Sequence, residues 1–226
     1  MSSSDWRGVS ETIRVFDEAS KAYDGWYGTP MGRYALSCEL MGLREMLPSR
    51  GVGVDVGGGT GIFAERLRDD ERIIICLDPS PGMLRRAVER GLPSILCVAE
   101  HPPLRLRCLD FIYMVATLEF LQDPVKALRV LKAHLRNGGP LILLIINRDS
   151  PWGQLYLKLG EEGDPIFSRM HLYNYREILK LLREADLKLI SAMGTLLEPP
   201  DRPGGEAVLT EVDSKVGVIL IKAGGS

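Results

Sequence analysis

The chain predicts an α/β fold on a mostly parallel sheet, and three observations carry that expectation. Short apolar runs alternate with longer amphipathic segments, the pattern of parallel strands joined by crossover helices. The first apolar run, Val52-Gly53-Val54-Asp55-Val56, breaks into Gly57-Gly58-Gly59-Thr60-Gly61 and then enters a helix. A later run, residues 141–146, is apolar at every position, as expected of a strand covered on both faces.

Taken in order, two helical stretches come first, residues 10–27 and 32–46. The strand from Val52 leads into the glycine turn, and a helix starts near Gly61. A second strand, residues 73–78, precedes a helix in which Met83, Leu84, Ala87 and Val88 share helical spacing. Residues 94–98 and 109–115 supply the third and fourth strands. Asp123-Pro124 then offers a helix cap and a proline at the first helical position, and Asn137-Gly138-Gly139 ends that helix. Beyond the fifth strand, a helix over 175–185 carries Asn174 and Glu177 at capping-box spacing. Residues 187–193 and 216–221 close the sheet as an antiparallel pair, with a Gly- and Pro-rich surface loop at 198–206 between them.

Bulk properties bound the function. At 226 residues and 45% hydrophobic content the chain suits a single domain over 1–226, made of an N-terminal helical cap (1–48), a core (50–146) and a C-terminal half (147–226). The opening residues lack a basic-then-apolar leader and the apolar runs are too short to span a bilayer, so no membrane role and a cytoplasmic location are expected. A net charge of −2 with dispersed basic residues argues against a nucleic-acid partner. Cys38, Cys76, Cys97 and Cys108 form no C-x-x-C pair, and the three histidines have no metal-ligand spacing, so buried thiols and no metal are expected.

The glycine turn marks a nucleotide-cofactor site, because glycine is needed where a backbone turns tightly or presses against a ligand. A dinucleotide fingerprint starting at Gly57 requires glycine at position 62, which is Ile62, and no Gly-Lys pair follows to cradle a triphosphate. The pattern present is acid-x-Gly-x-Gly-x-Gly, filled by Asp55, Gly57, Gly59 and Gly61. A ribose also needs a carboxylate at the end of the next strand about 20 residues on, and Asp78 stands there.

These motifs resemble those of the class I S-adenosylmethionine-dependent methyltransferases, over roughly residues 10 to 195. Asp78-Pro79-Ser80-Pro81-Gly82-Met83 is similar to the Asp-x-Ser-x-x-Met segment of the type 11 (ubiquinone/menaquinone methyltransferase-like) subfamily, and Ala99-Glu100-His101-Pro102-Pro103-Leu104 to its Ala-Glu-x-Leu-Pro-Phe stretch. Val98 departs from the acid that many relatives carry before that alanine. The resemblance implies a Rossmann-like seven-stranded, mostly parallel sheet with helices on both faces, the last strand antiparallel, and an N-terminal helical lid. It implies S-adenosyl-L-methionine as cofactor and S-adenosyl-L-homocysteine as product.

Cofactor contacts are then expected from Tyr23 of the lid, Asp55, Gly57, Gly59, Gly61, Asp78, Pro79, Ser80, Met83, Ala99, Glu100, Val115 and Thr117. Strand carboxyl ends carry the chemistry in such folds, which makes Glu119 the first candidate general base and His171 the second, although a sulfonium methyl does not demand one. Tyr27, Phe120, Asn147 and Trp152 are expected at the substrate, and Arg33 is a possible carboxylate partner with a surface ion pair as its simpler role. The leading expectation is transfer of a methyl group to a small molecule. Methylation of a protein or RNA and a non-catalytic cofactor-binding module are the alternatives, and oligomeric state is not addressed by the sequence.

Overall fold

The computed structural model describes residues 3–225; residues 1, 2 and 226 of the expected domain lie outside the described residues. Seven strands form one sheet: β1 (Gly51–Val56), β2 (Arg72–Asp78), β3 (Ser94–Leu96), β4 (Phe111–Val115), β5 (Leu141–Ile146), β6 (Leu187–Thr195) and β7 (Val218–Gly225). Their spatial order is β3-β2-β1-β4-β5-β7-β6, with β1 to β5 parallel and β7 antiparallel to both its neighbours. The order reverses between β1 and β4, where an open α/β sheet leaves a crevice at the strands' carboxyl ends.

Among the described residues, seven α-helices accompany the sheet: α1 (Ser3–Ala19), α2 (Pro30–Met46), α3 (Ile62–Leu67), α4 (Pro81–Glu89), α5 (Pro124–His134), α6 (Pro151–Glu161) and α7 (Tyr175–Glu184). Alternation along β5 shows how they are layered. Ile142, Leu144 and Ile146 pack in one cluster with Leu43 of α2, Phe63 of α3, Leu84 of α4 and Trp152 of α6. Leu141, Leu143 and Ile145 pack in the other with Leu128 of α5 and Ile178 of α7. Full burial of such a side chain is worth about 1.5–3 kcal/mol, so this strand is the mechanical centre of the molecule.

Several boundaries differ from the sequence expectation for identifiable reasons. The expected helix over 10–27 is broken: α1 stops at Ala19, and a separate 3₁₀ turn, Tyr23–Gly28, follows. Tertiary bonds draw Asp17 to Ser80 and Gly82 and Asp24 to Thr60 and Arg90, and they override the helical pattern between the two pieces. Thr29 then caps α2, its hydroxyl accepting from the Gly32 N–H at 3.0 Å. The third strand stops at Leu96 rather than 98, because β2 offers no partner beyond Asp78. The fourth starts at Phe111 rather than 109, since Asp110 turns its carboxylate onto the Val52 N–H at 2.8 Å and Leu109 bridges to Leu135. That same bridge ends α5 at His134, ahead of the glycines. The closing strands run two residues past 193 and from 218 to 225.

The largest departure is α6, in a segment where the sequence reading places no helix and expects only Trp152 at the substrate. Ser150 caps it, accepting from the Gly153 N–H at 3.0 Å, and Pro151 occupies the first helical position. The helix over 175–185 forms as expected to within one residue, with both capping-box bonds present at 2.9 and 3.1 Å.

Candidate active site

The glycine turn sits at the crevice between β1 and β4. Gly57, Gly59 and Gly61 all have positive φ, at 70°, 55° and 77°, the left-handed region that a side chain disfavours. The Gly57 and Gly58 N–H groups both donate to the Leu77 carbonyl, at 2.7 and 3.1 Å, which fixes the turn to the end of β2. A Cβ on Gly57 would meet Thr117 at 2.4 Å, whereas one on Gly59 would meet nothing nearer than the Met83 sulfur at 3.9 Å. Gly59 is therefore the glycine that faces open space. Gly61 serves packing instead, since a Cβ there would lie 2.3 Å from Leu92.

Two acids support this turn differently. Asp78 ends β2, is 8% exposed, and accepts from the Gly59 N–H at 2.9 Å through Oδ2 and from the Ser80 N–H at 2.8 Å through Oδ1. Each oxygen keeps further acceptor capacity, and the residue lines the cavity described next. Burial pushes its carboxyl up to about 6, against the pull of those two N–H donors. Asp55 lies behind the turn: Oδ2 accepts from the Tyr113 hydroxyl at 2.9 Å, Oδ1 is buried without a partner, and burial pushes it up to about 7.

Above the turn opens a cavity of about 130 Å³. Gly57, Gly59, Asp78, Pro79, Ser80 and Met83 form its floor and one wall. Ala99 and Glu100 border it past β3, and Val115 and Thr117 at the end of β4. Cys97, expected inside a core strand, instead lies past the end of β3 and lines this cavity. Phe16 of α1 and Tyr23 form the roof, with Phe16 edge-on to Phe120 at 5.0 Å between ring centroids.

The roof is latched to the floor. The Asp17 carboxylate accepts from the Ser80 hydroxyl at 2.9 Å and from the Gly82 N–H, and these donors hold its pKa below the ordinary value. Asp24 accepts from the Thr60 hydroxyl at 2.6 Å and from Arg90 at 2.8 Å, while Arg90 also reaches Glu65 at 3.0 Å.

The remaining expected residues lie elsewhere. Glu119 is 1% exposed in a 3₁₀ turn after β4; its Oε1 accepts from the Ile146 N–H at 2.9 Å and its Oε2 has no partner. His171 is exposed, with its ring edge-on to Tyr173. Asn147 is buried and braces the approach to β7, donating to the Asp213 and Val216 carbonyls at 3.1 and 3.0 Å. Trp152 fills the core and donates to the Glu198 carbonyl at 2.8 Å. Tyr27 packs edge-on against Phe63 and Tyr23. Arg33 donates to the Gly28 carbonyl.

One residue escapes the sequence reading altogether. Glu39 is 8% exposed in the middle of α2, flanked at helical spacing by buried Ala35, Leu43 and Met46. An acid inside an apolar stripe is the signal that marks it.

Fold and cavity together define an S-adenosylmethionine-dependent methyltransferase. Residues 32–192 match the methyltransferase domain family, and the chain belongs to it. It is 31% identical over 205 residues to an uncharacterised Mycobacterium tuberculosis protein, covering 89% of this chain and 70% of that one. A tRNA 5-carboxymethoxyuridine methyltransferase of Escherichia coli is 31% identical over 148 residues, 59% of this chain and 57% of the relative. The crystal structure of a Thermotoga maritima S-adenosylmethionine-dependent methyltransferase, described as a possible histamine N-methyltransferase, superposes with a TM-score of 0.86 at 28% identity, covering 95% and 100% of the two chains. The residues present fit the cofactor: Gly59 leaves room above the turn, Asp78 keeps acceptor capacity toward the cavity, and Met83 lines the wall.

Proposed function

We propose that this protein transfers a methyl group to a small-molecule acceptor in the cytoplasm, and that it stands near the type 11 branch of its family. The observation that carries the reading is the roofed cavity: Phe16 and Tyr23 close over the glycine turn and Asp78, leaving an apolar passage suited to a small acceptor. No helix is long and apolar enough to cross a membrane among the described residues. Arg107, Arg129, Lys132 and Arg136 do cluster, but in a groove at the opposite edge of the sheet, with Arg129 and Lys132 held by the Glu184 and Asp186 carbonyls. The names of the relatives divide between small-molecule and RNA acceptors, and the position of that basic groove favours the former.

The cofactor supplies an activated methyl on a sulfonium, so the protein's work is alignment and exclusion of water. Asp78 would hold the ribose hydroxyls, Met83 would lie along the adenine with its polarizable thioether, and Phe16 with Tyr23 would keep solvent out. Glu100, Val115 and Thr117 would complete the cofactor wall and Phe120 the acceptor side.

Incubating the protein and labelled S-adenosylmethionine with cell extract tests this reading. Label is expected in the small-molecule fraction; label confined to RNA or protein, or to neither, overturns it.

The latch gives a second measurable consequence. Asp17→Ala removes acceptors from the Ser80 hydroxyl and the Gly82 N–H, each bond worth about 0.5–1.5 kcal/mol net. Dissociation of S-adenosylhomocysteine, followed by stopped-flow fluorescence, should accelerate about 5- to 10-fold with little change in the association rate. An unchanged dissociation rate would show that the roof does not gate the cavity.

A further inference from the structure

At the edge of the sheet away from the cofactor cavity, the approach to β4, the end of α5 and the corner between α7 and β6 enclose a groove of about 690 Å³. We propose that this groove binds a small molecule carrying two or more phosphate groups. The inference goes beyond the methyl-transfer reading and does not rest on it.

Charge is the first observation. Arg107, Arg129, Lys132 and Arg136 line the groove, and Asp186 is the one acid among the described lining residues. Several cations elsewhere are neutralised by acids, as Arg86 is by Glu89, Arg90 by Asp24 and Glu65, and Arg148 by Glu177. In the groove, among the described residues, Arg136 alone follows that pattern, donating to Asp110. Arg129 donates instead to the Glu184 carbonyl, and Lys132 to the Asp186 carbonyl at 2.6 Å. A neutral carbonyl fixes a cationic head without cancelling its charge, and each head keeps further N–H donors.

Backbone conformation is the second, independent observation. Arg107 holds φ at 53° and Asp186 at 55°, so two of the groove's residues sit in the left-handed region that side chains disfavour. The Arg107 corner is held by its own N–H, which donates to the Ala133 carbonyl at 3.1 Å, and by the Cys108 N–H, which donates to the His134 carbonyl at 2.9 Å. Backbone N–H groups therefore answer these carbonyls at the end of α5, and they need no guanidinium.

The ligand class follows from the donor set. With Arg136 answered by Asp110, three cations stand against the charge of Asp186 alone, an excess that a single carboxylate does not meet. Phosphoryl oxygens are pure acceptors and match a guanidinium fork two at a time. The volume lies within the range of small-molecule pockets, about 300–1,000 Å³, and exceeds what one phosphate fills. Heads already pinned on carbonyls lose little freedom when an anion arrives, which favours binding.

Isothermal titration calorimetry of the full chain with inorganic tripolyphosphate, at fixed ionic strength and without divalent metal, tests the proposal. Saturable one-to-one binding is expected, at least about tenfold tighter than that of orthophosphate or sulfate. Two substitutions probe the lining in opposite directions. Arg107→Gly suits the left-handed backbone and should weaken tripolyphosphate at least about fivefold. Asp186→Asn, also tolerated there, should tighten it about two- to fivefold. A cooperative thermal transition shows that each variant folds. Absence of saturable binding, orthophosphate or sulfate binding as tightly, or variants that bind like wild type overturns the proposal. A single-stranded RNA that displaces tripolyphosphate and is itself weakened by Arg107→Gly overturns the small-anion class in favour of a nucleic-acid contact.

Discussion

Replacing Asp78 with alanine is expected to raise the dissociation constant for S-adenosylhomocysteine at least about a hundredfold. Both Asp78 oxygens already hold backbone N–H groups, of Gly59 and Ser80, each retains acceptor capacity, and the residue lines the cavity. A hydroxyl bonded to a carboxylate is worth about 1.5–3 kcal/mol, and the ribose supplies two of them. The substitution also frees the Gly59 N–H, so the turn loses the anchor that keeps it open. Asp78→Asn retains one acceptor oxygen and should lose about tenfold.

The same residue dictates a pH dependence. Burial lifts the Asp78 carboxyl to about 6, and accepting ribose hydroxyls favours its ionised form. Affinity in the wild type should therefore be flat above about pH 7 and fall progressively below about pH 6, a dependence that the asparagine variant lacks. Isothermal titration calorimetry from about pH 5 to pH 8 reads both effects. Near-normal affinity in Asp78→Ala would show that this carboxylate is not the ribose anchor.

A second substitution should strengthen the fold. The folded protein holds a proton on Glu39 up to about pH 8, whereas the unfolded chain releases it near the ordinary 4.5. Between those values the native state binds more protons than the unfolded state, so stability falls as pH rises. Glu39→Gln cannot ionise and escapes this loss. Urea denaturation should find the variant more stable than wild type by on the order of 2 kcal/mol or more at about pH 8, and indistinguishable at about pH 4.5. Equal stability at the higher pH would mean that Glu39 is relieved by solvent or a partner.

Local signals explain how much was legible in advance. The glycine turn, the acid ending β2 and the capping box of α7 are each specified by neighbouring residues, and each appears where the sequence places it. The break after α1 was not legible, because Asp17 and Asp24 are drawn to Ser80, Gly82, Thr60 and Arg90, all distant in the chain. Helix α6 carried the same cap-and-proline signal as α5, in Ser150-Pro151, but Trp152 within it suggested a substrate contact instead. Asn147 and Trp152 show the limit of that argument: Asn147 follows β5 directly and Trp152 lies in the first turn of α6, yet their polar atoms are engaged by carbonyls of the chain leading into β7 and of the loop after β6. Glu39 was hidden because one acid in a helix ordinarily faces water.

The place of β7 sets the rhythm of folding. It is the last strand in sequence, yet it lies between β5 and β6. Until it arrives, one flank of β5 is a ribbon of leucine and isoleucine with unanswered backbone donors and acceptors, open to any other extended chain. The methyltransferase thus commits late, through contacts far apart in sequence, and its interval of greatest vulnerability to aggregation is the wait for that final insertion.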